Sequence, residues 1–286
     1  MTWRDAVREA SFTMRDAGID DHALNAKYLA AHVLGVWNLA DLRPLMEDPA
    51  SDEQLHEYYA LVTRRVANEP LQYIVGETEF YGLRLKCTPA ALIPRPETEI
   101  LVESAIEEAR RLLDTRDHLD ALDIGTGTGA IALAFSYSVP AAHVVAIDAS
   151  REAIELAEEN KAKLADARTR FVHLDAMSNK MLELGDFDLI LSNPPYVSTN
   201  EYALLPADVR GHEPRMALTD EADGLIFYKR IAELARKMLR PDGAVIVELS
   251  YDGVIPVSRI FEEHGFTSIS AIKDLSGIDR ILIAKF

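Results

Sequence analysis

Leu119-Asp-Ala-Leu-Asp-Ile-Gly-Thr-Gly-Thr-Gly129 is a short, mostly apolar run that breaks into glycine at every second position. The helix-forming stretch Ala130-Ile-Ala-Leu-Ala-Phe135 follows at once. A strand, a glycine turn and a helix in that order open a doubly wound parallel sheet, and a loop so placed approaches a cofactor. Glycine at Gly125, Gly127 and Gly129 removes the Cβ atoms that would block close backbone contact. On glycines alone a dinucleotide-binding loop would look similar. Two details separate the readings. The spacing is Gly-x-Gly-x-Gly and not Gly-x-Gly-x-x-Gly, and the strand carries an acid at Asp123. That carboxylate would repel a pyrophosphate but can meet the ammonium of S-adenosylmethionine. Gly125, Thr126, Gly127, Thr128 and Gly129 are therefore the expected cofactor loop, with Asp123.

The chain on either side agrees with this unit. Further strands are predicted at 143–148, 169–173, 187–192 and 243–249, with helices near 129–137, 151–164 and 225–239 between them. Alternation of this kind implies an α/β fold with a parallel, doubly wound sheet. The last two strand-like runs, 266–273 and 280–286, are joined only by a turn around Ser276-Gly277. They are too close for a helical crossover, so the final strand is expected to be antiparallel. A parallel sheet closed by an antiparallel hairpin is the class I methyltransferase arrangement, not the usual dehydrogenase one. Asp148 ends the second strand and offers two acceptor oxygens to ribose hydroxyls. Asp175, with Ala176 beside it, is placed to reach an adenine amino group.

The chemistry is read from Asn193-Pro194-Pro195-Tyr196, which follows the strand-like Phe187-Asp-Leu-Ile-Leu-Ser192. An amide nitrogen is a poor nucleophile because its lone pair is delocalised. If Asn193 Oδ1 and the Pro194 carbonyl accept its two N–H groups, the nitrogen is fixed in line with an electrophilic methyl. Positioning can lower a barrier by up to ~7–11 kcal/mol in well-aligned systems. Prolines hold a carbonyl's direction without adding competing N–H donors, and the Tyr196 ring can stack on a planar amide or base. No general base is evident or required, since the product can lose its proton to water.

The 286 residues allow a large domain or two modest ones. A net charge of −17 disfavours an extended nucleic-acid surface. Residues 124–147 lack Asp, Glu, Lys and Arg, long enough to span a bilayer by count. Their glycines, Pro140 and His143 fit a buried strand-loop-helix-strand unit better, and the protein is expected to be cytoplasmic, with no membrane partner. Cys87, the only cysteine, excludes an intrachain disulfide and reads as an apolar filler. The histidines show no metal-ligand spacing, and no metal is expected.

The first ~70 residues read as helices. Trp3, Ala6, Val7, Ala10 and Met14 recur at helical spacing behind Thr2 as N-cap, a second helix runs from Asp21 to Leu34, and Ser51-Asp-Glu-Gln54 is a capping box opening a third. Pro70 is read as the end of that block. The expected organisation is a helical bundle over 1–72 for packing or partner recognition, a β-hairpin linker over 73–92, and a catalytic domain over 93–286.

Gln72-Tyr-Ile-Val-Gly76, Ile93-Pro-Arg-Pro-Glu-Thr-Glu99, Asp123 to Gly129, Asn193 to Tyr196 and Asp208-Val-Arg-Gly-His-Glu-Pro-Arg-Met-Ala-Leu218 together carry a resemblance over nearly the whole chain. It resembles the protein-(glutamine-N5) methyltransferases that modify class I peptide-chain release factors. The resemblance implies a Gly-Gly-Gln glutamine as acceptor, bound by Asn193 and Pro194, and S-adenosylmethionine held by the glycine loop and Asp148. Pro195 and Tyr196 fall in the same substrate motif, and Arg95, Glu97 and Glu213 are expected to line the site or hold the loop after Tyr196. After Glu248 the chain departs from the family, with Leu249-Ser250 and Gly253. A sister family methylating a ribosomal protein shares Asn-Pro-Pro-Tyr, as do DNA adenine-N6 methyltransferases. The Pro94-Arg-Pro-Glu-Thr98 stretch favours the release-factor branch, and the acidic charge argues against DNA. A non-catalytic cofactor-binding module would leave Asn193 to Tyr196 unexplained.

Overall fold

The strands, in chain order, are β1 (Glu77–Phe80), β2 (Leu83–Lys86), β3 (Leu119–Ile124), β4 (Ala142–Asp148), β5 (Thr169–His173), β6 (Phe187–Ser192), β7 (Leu239–Glu248), β8 (Ser268–Lys273) and β9 (Asp279–Lys285). They belong to a computed structural model that describes residues 1–166 and 168–286. Two compact units are present. One comprises Met1–Glu77 with Pro206–His212, the other Thr78–Leu205 with Glu213–Phe286.

In the larger unit seven strands run in the order β5-β4-β3-β6-β7-β9-β8. Those from β5 to β7 pair in parallel, while β9 pairs antiparallel with both β7 and β8. The closing hairpin thus has the expected direction, and the fold is that of a class I methyltransferase. The β8–β9 turn is built by Asp274, whose Oδ1 accepts the Ser276 and Ile278 N–H groups. Every residue of β6 is buried, and in β7 burial is continuous from Gly243 to Glu248. Near-continuous apolar runs are what a sheet covered on both faces requires. One face packs on the helices Thr98–Leu113 and Ala130–Ser138, the other on Ile226–Met238 and Val254–Glu263. β1 and β2 form a separate two-stranded ribbon.

In the smaller unit Thr2 caps the helix Trp3–Asp16 by accepting the Asp5 N–H, and both halves of the Ser51–Gln54 capping box are made. The core centres on Trp3 and Tyr58, whose rings meet edge-on at 5.4 Å, with the Tyr58 hydroxyl donating to the Ala26 carbonyl. Arg65 is buried here. It donates to Asn25 Oδ1 at 2.9 Å and to the Glu69 carbonyl at 3.1 Å, with Asp208 Oδ2 3.6 Å away.

Two boundaries differ from the sequence reading. Pro70 precedes one more helix, Leu71–Val75, which stops at Gly76 with φ +81°, so Tyr73–Val75 are helical and not part of the hairpin. Proline's missing N–H is harmless just ahead of a helix, and glycine adopts the left-handed stop without strain. Pro206–His212, placed by sequence in the catalytic stretch, belongs to the helical unit, where Asp208 faces the buried charge of Arg65. Among the described residues no helix is long and apolar enough to cross a membrane.

Candidate active site

The strand order reverses between β3 and β6: the chain runs outward from β3 through β4 to β5, then crosses back to lay β6 on the other side of β3. Crevices form where two neighbouring crossovers diverge at the strands' carboxyl ends. Ile124 and Ser192, the last residues of these strands, are in register, and Ser192 Oγ donates to the Ile124 carbonyl at 2.8 Å. The glycine loop and Asn193 are thereby placed side by side. A cleft opens there, within the larger unit, and its walls include Gly125 to Thr128, Asp148, Asp175, Ala176 and Asn193 to Pro195.

The loop's shape is fixed mostly by its own backbone. Gly125, Gly127 and Gly129 all have positive φ, and the Gly125 and Thr126 N–H groups both donate to the Ile147 carbonyl at 2.9 Å. A Cβ on Gly129 would meet Phe171 at 3.0 Å and Leu133 at 3.1 Å, so only glycine lets helix and sheet close here. Asp148 Oδ2 accepts the Gly127 N–H and Oδ1 the Ser150 N–H, both at 2.9 Å. Burial pushes the Asp148 carboxyl up, and these backbone donors oppose that push. Each oxygen keeps a second lone pair for a ligand hydroxyl.

Asp123 does not line the cleft. It is fully buried, with Oδ2 accepting the Thr126 hydroxyl at 2.7 Å and Oδ1 left without a hydrogen-bond partner. Burial raises its pKa to about 7, opposed by the Thr126 hydroxyl and reinforced by Asp148. An orphaned acceptor beneath a glycine cradle fits a cationic ligand group. In this structure, however, the residue holds the loop and does not face the cavity.

Asn193 to Tyr196 are held differently. Asn193 Nδ2 donates to Thr98 Oγ1 at 3.1 Å, Thr98 Oγ1 donates to Glu248 Oε2 at 2.6 Å, and the Tyr196 hydroxyl donates to Glu248 Oε1 at 3.1 Å. The Tyr228 hydroxyl donates to the Glu248 carbonyl at 2.7 Å. Burial raises the Glu248 carboxyl, while the hydroxyls of Thr98 and Tyr196 pull it down. Tyr196 is absent from the cleft walls. A half-buried phenol needs a partner for its hydroxyl, and Glu248 supplies it. The ring packs against the hydrophobic core that includes Tyr228 and Val247, and not on the cleft where the sequence reading had it stack on a planar amide or base. Beyond it, Val197 N–H donates to the Leu218 carbonyl and Thr199 N–H to Ala222. Gly224, with φ +80°, lies so close that a Cβ there would overlap the Tyr196 carbonyl oxygen.

Arg95 lines the cleft and is paired with Glu213. Glu213 itself is buried outside the cavity wall, its Oε2 accepting the Ile93 N–H at 3.1 Å. It therefore ties the 93–95 segment to the loop that follows, and does not contact the cavity. Glu97 is exposed and also lies outside the lining. Asp175 is at the cleft, its Oδ1 accepting the Met177 N–H, and the Ala176 carbonyl accepts from Arg230 Nε at 2.8 Å. Cys87 is a buried thiol pushed up to about 12 by desolvation.

Sequence reasoning missed Thr98, Glu248, Gly224 and Asn160. Asn160 is fully buried, accepts the Lys86 N–H at 2.6 Å, and donates to the carbonyls of Lys86 and Thr128. The only available signal was a polar residue on an otherwise apolar helix stripe, and for Glu248 an acid ending an apolar strand.

Family profiles match two stretches: the PrmC N-terminal domain over residues 5–76 and the methyltransferase small domain over residues 100–207. A release factor glutamine methyltransferase of Fusobacterium nucleatum is 38% identical, covering 95% of this chain and 75% of that protein. Proteins of the same description from Cereibacter sphaeroides and Vibrio cholerae are 38% and 37% identical, covering 98% and 100% of this chain and 97% of each relative. Among solved structures, a methyltransferase from Pyrococcus furiosus superposes with a TM-score of 0.54 at 21% identity, covering 79% of this chain and 96% of its own. A 16S rRNA N2 G1207 methyltransferase from T. thermophilus, solved with AdoMet and guanosine, gives 0.52 at 18%, covering 73% and 49%. The structural likenesses speak for the fold; the identities, held from end to end, place the chain in the release factor glutamine methyltransferase family.

Proposed function

We propose that this methyltransferase modifies the side-chain nitrogen, N5, of the glutamine in the Gly-Gly-Gln motif of class I peptide-chain release factors, in the cytoplasm, with S-adenosylmethionine as methyl donor. The observation that carries the reading is the meeting of Asn193-Pro194-Pro195 and the glycine loop on one cleft, in a chain that matches relatives of that description over 95% or more of its own length. The loop, Asp148 and Asp175 would hold the donor, with Asp123 bracing the loop from beneath through Thr126. When bound, S-adenosylmethionine supplies an electrophilic sulfonium methyl.

This chain's own residues supply orientation. Asn193 Oδ1 accepts one N–H of the glutamine amide and the Pro194 carbonyl the other, which fixes the nitrogen and favours its pyramidal form. One N–H is replaced by N–CH3, and the surplus proton leaves to solvent. No residue has to act as a base. Incubation with radiolabelled S-adenosylmethionine and three acceptors tests this: a release factor, its Gln-to-Asn variant and duplex DNA. Label on the intact factor alone supports the reading. Label on the DNA, or equal label on the variant, overturns it.

A further inference from the structure

Asn193 is held by its nitrogen end, through a chain of hydrogen bonds that has a direction. A hydroxyl has one proton and two lone pairs, and an ionised carboxylate only accepts. Thr98 sends its proton to Glu248 Oε2 at 2.6 Å, so towards Asn193 it can only accept, and Nδ2 meets it at 3.1 Å. Were the amide turned over, Oδ1 would face an oxygen with no proton to give. The acceptor end, Oδ1, is thus kept for something else, and it has no partner among the described residues.

We infer that Thr98 and Glu248 are positioning residues that fix the orientation of the Asn193 amide, so that Oδ1 receives the acceptor's N–H. The assignment rests on the reading that Asn193 Oδ1 binds the glutamine amide. The setting of Glu248 supports it. The residue is 2% exposed, and its side-chain partners are two hydroxyls, from Thr98 and Tyr196. A buried carboxylate with no hydrogen-bonded cation is costly to keep in the folded chain. A leucine ending β7 would avoid that cost and pack the same core, whereas only an obligate acceptor gives the Thr98 hydroxyl its direction. Thr98 lies 95 residues before Asn193 and is itself 4% exposed, so neither group reaches solvent or serves as a surface ion.

The test is a double-mutant cycle between Thr98→Val and Asn193→Ala. Thr98→Val should lower methyl transfer at saturating donor about tenfold or more, leave donor affinity within about threefold, and add almost nothing in the Asn193→Ala background. Thr98→Ser, which keeps the hydroxyl, should retain the rate. A wild-type rate for Thr98→Val, or a loss that adds in full to that of Asn193→Ala, overturns the proposal. If Asn193→Ala itself transfers methyl normally, the underlying reading of Asn193 fails instead. Should Thr98→Val not fold, Glu248→Gln reads the same chain from its other end. Glutamine can turn either an oxygen or an NH2 towards Thr98, so the direction is lost, and transfer should fall about threefold or more, again only when Asn193 is present. An unchanged rate there overturns the proposal.

Discussion

The two walls of the cleft are built on opposite principles. The glycine loop is nearly self-sufficient: its bonds run to the adjacent strand end at Ile147 and Asp148, and its shape follows from φ values that glycine adopts freely. The Asn193 to Tyr196 wall is held from outside, by Thr98, Glu248, Gly224 and the 218–222 segment, none of them a chain neighbour. A wall made of backbone tolerates the loss of one side chain. A wall made of converging side chains fails when one is removed or one atom is added.

The sharpest way to break the contrast is Gly224→Ala. Its Cβ would overlap the Tyr196 carbonyl oxygen in a left-handed conformation, and backbone on both sides cannot yield cheaply. A stability loss on the order of 3 kcal/mol or more is expected by urea denaturation, with methyl transfer impaired in whatever remains folded. A neutral result would show that the segment after Tyr196 is not rigidly held. Next comes Asn193→Ala. Methyl transfer should fall on the order of 10²-fold or more, about 3 kcal/mol of barrier, while donor affinity measured by calorimetry stays within a few-fold. Equal collapse of both would mean the two walls do not divide the work.

The same contrast governs what could be read in the sequence. The glycine loop, its strand and its helix were legible because their interactions are local and tied to residue types with special backbone freedom. The antiparallel ending was legible because a turn at Ser276-Gly277 leaves no room for a helix. The capping box at Ser51 followed from spacing alone. Asn193 was legible as a type of residue, but its supports were not. Thr98 looked like one more letter of Pro94-Arg-Pro-Glu-Thr98, and Glu248 marked only a departure from the family. Their role depends on contacts spanning 95 and 150 residues, which no local pattern encodes. Tyr196, Asp123 and Glu213 were read as site residues, yet each turns into the protein, because a buried hydroxyl or carboxyl seeks its partner there. Pro206–His212 was misplaced for a related reason: Asp208 answers the buried charge of Arg65, a partner distant in sequence.

On the loop side, Asp123 predicts a pH dependence of stability. Its pKa in the folded chain is raised to about 7 from an ordinary 3.8. The unfolded chain therefore loses this proton first, and the group's favourable contribution, complete below about pH 4, is lost as pH rises towards 7. Between pH 5 and pH 8 the penalty is on the order of 2 kcal/mol. Asp123→Asn keeps an oxygen for the Thr126 hydroxyl and removes the titration, so its urea midpoint should fall less over that interval than the parent's. Parallel pH profiles for the two proteins would refute the buried, protonatable state.

The smallest effect is expected at Asp148, and it is the one that separates holding a ligand from holding the loop. Its two oxygens already accept the Gly127 and Ser150 N–H groups, so Asp148→Ala removes loop bonds as well as acceptors for a ribose. Asn can replace one of these bonds but not both, since only one of its side-chain atoms accepts. Donor affinity should drop about tenfold in Asp148→Ala, roughly 1.4 kcal/mol, with the rate at saturating donor nearly unchanged, the mirror image of Asn193→Ala. Asp148→Asn should fall between parent and alanine variant if the loop bonds matter, and match alanine if only the paired ribose acceptors do. Calorimetric titration of the three proteins with S-adenosylmethionine reads the difference. A loss in rate without a loss in affinity would place Asp148 on the wrong wall.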